Sequence, residues 1–465
     1  MSTTGRRYDR KPSVSIASPP SGTGPALDQE WCHISASPRF DADSFRNLLW
    51  GLAAASAVAA SALGASRMAS FVDRAEAPRL LPLFVGWAVV AVVVGFRGPR
   101  RGVAAIVAFA VVARLPWIGT PPLLSDDLYR YLFEGQAAAL GYDVFRYAPA
   151  ELPGVNDPLR ALVNHPEVSS VYPPLALWWF RLLAAAGSVW TTQALTAAVD
   201  VVTVGLVARW GSPAGALVLA LHPLAVVESA AGAHVDVPAI TLATAALAAH
   251  RSGNPRLALV AATFGAWLKL FPVVLGPTLL RPLPWPARAA VVAAGLATGV
   301  VLAAPHLSFG PHLLVGARAY ASTWAFSGFV FPWLAPALGG ATRPALAAVA
   351  VAVVLGAHAR WRDPAVLWAV SGTVFCLTSP TVHPWYVAWA LVPSLFLGRG
   401  EWALASIGSL LSYRVLLGFD AATGTWTEVP GSWWLVWGTA AIGAILGRCV
   451  AGDQLERSVP SATPP

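Results

Sequence analysis

The sequence predicts an all-α polytopic transmembrane helical bundle of about 12–14 spans, and three observations carry that prediction. Of the 465 residues 56% are hydrophobic and only 12% charged, with a mean hydropathy of +0.60, too apolar for an ordinary soluble domain. Apolar runs of roughly 15 to 20 residues recur from about residue 47 to about residue 448, each long or nearly long enough to cross ~30 Å of hydrocarbon as a helix that satisfies its own backbone. The arginines fall in ones and twos between these runs. The net charge of +8 therefore reads as positive-inside topology and not as a nucleic-acid footprint.

Residues 1–46 are rich in Ser, Pro, Gly and Arg without periodicity and read as a disordered cytoplasmic tail. The membrane domain occupies 47–450, and 451–465 form a cytoplasmic C-terminal tail. Three spans come first, near 47–65, 80–96 and 102–117. Arg97, Arg100 and Arg101 put the turn between the second and third in the cytoplasm and residues 118–171 outside. The stretch "YPPLALWWFRLLAAAG" (172–187) sets the remaining topology. If it spans, Arg209, Arg251 and Arg256 fall outside; if it lies along the outer interface, with Trp178 and Trp179 at headgroup depth, the crossing at about 193–208 ends with Arg209 inside.

The interfacial version is preferred, and it makes 118–192 one external loop carrying interfacial helices. It requires 257–284 to be two short membrane segments broken at Lys269, Phe271 and Pro272, which is tolerated where the break lines a cavity. "GAHVDVP" (232–238), Lys269, the loop 306–342 and "SPTVHPWY" (379–386) then share one external face with 118–192, and Arg360, Arg362, Arg399 and Arg448 lie opposite. Asp200, mid-span near Arg209, reads as an ion pair inside the bundle. Neither an internal repeat nor a second soluble domain is visible. Cys32, Cys376 and Cys449 are far apart, and neither they nor the nine histidines show a metal-ligand spacing.

Into this apolar chain "SDDLYRYLFEGQAAALGYDVFRYAP" (125–149) introduces two adjacent carboxylates, Asp126 and Asp127. As neighbours they repel, so one tends toward a raised pKa unless a cation is near, although Ser-Asp-Asp also makes a good helix N-terminus. Tyr129, Arg130, Arg146, His165 and Tyr172 follow in the same loop. Rings that stack on pyranose faces, carboxylates that accept from hydroxyls and guanidiniums that meet phosphate are the groups a sugar site uses.

Taken in order, "SDDLYRYLFEGQAAALGYDVFRYAP", "NHPEVSSVYPPLALWWF", "GAHVDVP", "WLKLFP" and "SPTVHPWYVAW" resemble the GT-C superfamily of integral-membrane glycosyltransferases over about residues 100–400. The likeness is to bacterial polyprenyl-phosphate-mannose-dependent mannosyltransferases. It implies an external loop that opens with an acidic motif and supplies the catalytic base. Asp126 matches the first acidic position and would be the general base for an inverting displacement, with Asp127 orienting the acceptor or holding a divalent cation (Mg or Mn).

The leaving phosphate needs positive charge and donors. Lys269, one of only two lysines and set within an apolar run, is the leading candidate. Arg130, Arg146, His234, Asp236, His383 and Tyr386 are further donor-side candidates; His165, Tyr172 and Tyr129 are candidate acceptor or sugar contacts. Trp324, Trp333, Trp385, Arg318 and Tyr320 share the same face. The expected partners are a polyprenyl-phosphate sugar donor, a glycolipid, polysaccharide or protein acceptor, and the bilayer, in a bacterial inner membrane with the site facing outward. A polytopic transporter or lipid flippase is the alternative, against which the one-sided gathering of acids, histidines and lysine speaks.

Overall fold

The computed structural model describes residues 42–305, 312–420, 425–427 and 429–457. The expected N-terminal tail up to residue 41, residues 306–311 of the expected external loop and the tail beyond 457 lie outside the described residues. The chain from Arg46 onward forms one compact unit.

The architecture is an all-α bundle. Helices α1 (Ala42–Ser70), α2 (Leu81–Arg97) and α3 (Val103–Arg114) occupy the first three expected spans. A 3-10 turn at Arg74–Leu80, capped by Asp73, joins the first two. Ser61 of α1 donates to the Ala113 carbonyl (2.6 Å) and accepts from the Trp117 indole (2.9 Å), so a polar pair pins α1 against the end of α3. Next come α4 (Asp127–Ala139), the single turn α5 (Asp157–Arg160) and α6 (Pro174–Ala186). Helix α6 has 13 residues, about 20 Å at 1.5 Å per residue and short of the ~30 Å hydrocarbon core. It packs along α4, where Gly135 leaves room for the Phe180 carbonyl.

Helix α7 (Val189–Trp210) is long and carries Asp200. Asp200 pairs with Arg114 of α3 (2.5 Å), not with Arg209, whose guanidinium lies over Trp210. The reason is reach: Arg209 sits about 13 Å along the helix axis from Asp200, whereas Arg114 is buried directly beside it and also donates to the Ala110 and Ala220 carbonyls.

Helices α8 (Pro213–Leu221) and α9 (Pro223–Ala230) form a pair bent by 57° at Pro223. Proline there removes one backbone donor, and His222 covers the break by accepting from Leu224 N and bonding the Ala403 carbonyl. Helices α10 (Asp236–Arg251) and α11 (Pro255–Leu268) form a hairpin packed against α7. After Leu268 the chain turns extended at Lys269 (φ −148°, ψ 129°), and Pro272 begins a 3-10 turn leading to α12 (Gly276–Leu280). The helix break expected at Lys269 is present.

The remainder comprises α13 (Trp285–Ala303), α14 (Val315–Thr323), α15 (Phe331–Leu338), α16 (Thr342–Arg360), α17 (Pro364–Thr378), α18 (Ala388–Phe396), α19 (Glu401–Leu411) and α20 (Ser432–Arg457). A two-residue antiparallel pair, β1 (Phe419–Asp420) and β2 (Thr425–Trp426), precedes α20. Among the described residues six helices are long and apolar enough to cross a membrane, or seven with the α8–α9 pair as one span. That is fewer full-length spans than the 12–14 expected. Proline and glycine cut the remaining apolar runs into helices of 10–17 residues, which sequence hydropathy alone does not separate from spans. The core lies where α2, α3, α7, α8, α18 and α19 meet.

Candidate active site

Asp126 stands at the N-cap position of α4, yet its side chain makes no capping bond. Its carboxylate turns instead to Arg74, which donates to Oδ2 at 2.5 Å, and to Asn164, whose Nδ2 donates to Oδ1 at 2.9 Å. The same Asn164 amide donates to Oδ1 of Asp127 at 2.6 Å. One amide nitrogen thus bridges both carboxylates. Burial and then the charge of Asp126 hold the Asp127 carboxyl above the ordinary aspartate range.

Arg130 sits one turn further along α4 and anchors this arrangement. Its guanidinium donates to Oδ1 of Asn164 (3.1 Å), the Val168 carbonyl (3.1 Å), the His165 carbonyl (2.6 Å), the Asn164 carbonyl and Glu134 (3.0 Å). All five guanidinium donors are engaged within the protein. Glu134 also accepts from Ser170 (2.7 Å), and burial raises its pKa. With two carbonyls drawn toward Arg130, His165 adopts φ +45°, a left-handed conformation uncommon for a residue with a side chain.

The acid pair opens onto a cavity of about 2520 Å³ whose lining includes Asp126, Asp127, His165, Tyr172, Lys269 and Tyr386. Lys269, placed by the helix break, donates to Oδ2 of Asp236 at 2.8 Å and lies 4.7 Å from the Tyr386 ring centre. Asp236 also accepts from the Trp389 indole at 2.7 Å. The wall beyond is aromatic. The Tyr386 hydroxyl bonds that of Tyr320 (2.8 Å), Tyr320 stacks on Trp324, and His165 meets Trp324 edge-on at 4.6 Å. His383 stacks flat on Trp385 (4.5 Å, 4°) and beside Phe326. Burial, then the charges of Lys269 and His165, lower the His383 pKa to about 3. Its neutral ring serves as a hydrogen-bonding and stacking surface and carries no positive charge at neutral pH.

A family model described as Alpha-(1->6)-mannopyranosyltransferase, N-terminal domain, matches residues 48–282. The chain belongs to this mannosyltransferase family. No curated protein and no solved structure matches it significantly. With its apolar helices it is a membrane mannosyltransferase, and family membership leaves the transporter reading without support.

Of the residues singled out from sequence, the mannosyltransferase gathers Asp126, Asp127, Arg130, His165, Tyr172, Lys269, His383 and Tyr386 around one cavity. Asp236 lies just behind that wall, reaching it through Lys269. His234 is also behind it, fully buried and edge-on to Trp385 at 3.9 Å. Tyr129 and Arg146 are not among the lining residues; the Arg146 guanidinium lies over Tyr147. Trp324, Trp385, Arg318 and Tyr320 line the cavity, whereas Trp333 packs against Trp433 and Trp434.

Among the described residues no group of three His, Cys, Asp or Glu side chains could hold a metal ion. The acid pair fits a divalent cation poorly on chemical grounds. Arg74 already faces Asp126, and Asn164 offers the pair an N–H, its oxygen being tied to Arg130. A hard cation needs oxygen ligands at that point.

Sequence reasoning missed Arg74, Asn164 and Trp389. For Arg74 a signal existed: in the preferred topology the loop between the first two spans is external, so an arginine there runs against the positive-inside rule. Asn164 and Trp389 stand at the ends of two of the quoted motifs, "NHPEVSSVYPPLALWWF" and "SPTVHPWYVAW", but nothing in either motif ties them to the acid pair or to Asp236.

Proposed function

We propose that this protein transfers mannose from a polyprenyl-phosphate donor to an extracytoplasmic acceptor hydroxyl at the outer face of a bacterial inner membrane. The single observation that carries the proposal is that one cavity is lined both by an acid pair held by Arg74 and Asn164 and by a partly buried lysine beside the Tyr386 ring.

Asp126 acts as general base. It accepts the acceptor hydroxyl proton as that oxygen attacks the anomeric carbon; the C–O bond to phosphate breaks and its electron pair leaves with the polyprenyl phosphate. Displacement in one step inverts the anomeric carbon, so an alpha product, as the family description states, calls for a beta-linked mannosyl phosphate. Asp127 orients the acceptor. Lys269 meets the departing phosphate, with the Tyr386 hydroxyl and the neutral His383 ring as donors beside it. Tyr172, whose ring meets Tyr131 edge-on, contributes to the sugar pocket. The polyprenyl tail follows the apolar side of the cavity, where Val273, Leu296, Val300, Val351 and Val354 are among the lining residues. No cation is required by this scheme.

The experiment is transfer of labelled mannose from a synthetic polyprenyl-phosphate mannose by the purified protein in lipid nanodiscs. Asp126→Asn is expected to lower the rate about 10²- to 10⁴-fold, the range of a lost general base. An unchanged rate refutes the assigned base.

A further inference from the structure

We infer that Asn164 and His165 form the acceptor-side half of the active centre: Asn164 holds the two carboxylates toward the cavity, and His165 with Trp324 forms the subsite for the acceptor sugar ring. The inference rests on the mannosyl-transfer reading above and specifies which wall the acceptor uses.

The chemistry of the lining residues separates the two substrates. The cation of Lys269 and the apolar lining contributed by Val273, Leu296 and Val300 suit a phosphate and its lipid. His165 and Glu167 also line the cavity, with side chains 47% and 66% exposed. The imidazole Nδ1 lies 3.4 Å from Glu167 Oε1 and the ring meets Trp324 edge-on. An indole face beside an imidazole and a carboxylate suits a neutral pyranoside: the ring covers C–H bonds, and the polar pair bonds hydroxyls. The Glu167 carboxylate disfavours an anion at the same place.

Two features show that this wall is built. Trp324 is pinned by its carbonyl, which accepts from Arg343 (2.8 Å) and from the Thr381 hydroxyl (2.9 Å). His165 is kept in its left-handed conformation by the Arg130 bonds to two successive carbonyls. Asn164 precedes it and has the bridging amide on both carboxylates. One dipeptide therefore sets both the direction of the acid pair and the surface on which the attacking sugar rests. Asn164 is a positioning residue, acting through Asp126 and Asp127.

The test uses full-length protein in nanodiscs with synthetic polyprenyl-phosphate mannose as donor and octyl alpha-mannoside as acceptor probe, varying each in turn. His165→Ala and Trp324→Ala are expected to raise the acceptor KM about tenfold, the discrimination that one or two pocket contacts supply, and to leave the donor KM unchanged. Trp324→Phe, which keeps a ring, should recover most of the loss. Asn164→Ala should lower kcat about 10²-fold with neither KM moved. His165→Ala alters an exposed side chain and decides the matter if Trp324→Ala does not fold. A raised donor KM, or an acceptor KM that does not move in an otherwise active protein, overturns the subsite. Wild-type protein inactive with this donor overturns the mannosyl-transfer reading itself, and the subsite with it.

Discussion

Two adjacent aspartates at a helix start are ordinary until their partners are known. Asp126 leaves the helix N-terminus uncapped and is held by Arg74 and Asn164, 52 and 38 positions away in the chain. The pair itself was legible, because carboxylates next to arginines and tyrosines are conspicuous in so apolar a sequence; the partners were not, because nothing local ties them to it. Asp127 carries a pH signature. Its pKa is raised in the folded protein, so the fold favours its protonated form; its contribution to stability is present at low pH and is lost as pH rises from the ordinary aspartate range through the raised value. Asp127→Asn should therefore melt higher than wild type at pH 7, with the difference vanishing near pH 4, as scanning fluorimetry of the detergent-solubilised protein would show. Lys269 offers a second check. Lys269→Met leaves the Asp236 carboxylate buried without its cation, expected to cost about 3–5 kcal/mol. Lys269→Met with Asp236→Asn should regain most of the stability but not the transfer activity, separating the two roles.

Between helices, the fit depends on what is left out. Gly135 of α4 faces the Phe180 carbonyl of α6, and a Cβ there would come within 2.1 Å of that oxygen. Since the obstacle is backbone, α6 must move as a whole. Gly135→Ala is expected to destabilise by about 1–3 kcal/mol, the usual range for overpacking, and to lower activity by displacing the loop that carries Asn164 and His165; a thermal melt alongside the transfer assay checks both. The existence of α6 and of the break at Lys269 followed from where the arginines fall and where Pro272 stands. The number of full-length spans did not follow, because hydropathy counts apolar residues and misses the bends at Pro223 and Pro272 that divide runs of them.

Across the whole molecule, the Arg114–Asp200 pair ties α3 to α7 deep in the bundle, and Arg114 adds the carbonyl of Ala220 at the end of α8. Asp200→Ala strands a buried guanidinium and should cost about 3–5 kcal/mol, read as a lowered melting temperature with KM unchanged in whatever protein still folds. Asp200 as a bundle pair was visible in the sequence; its partner Arg114 was not, because that arginine lies 86 positions away on another helix.

Arg74 belongs to the turn between α1 and α2, while the carboxylate that it grips follows α3. During synthesis the guanidinium emerges first and waits, and the aspartate meets it only after the third helix has been threaded. The grip therefore closes only once the first three helices are in place, so the direction of the acid pair reports on the assembly of all three.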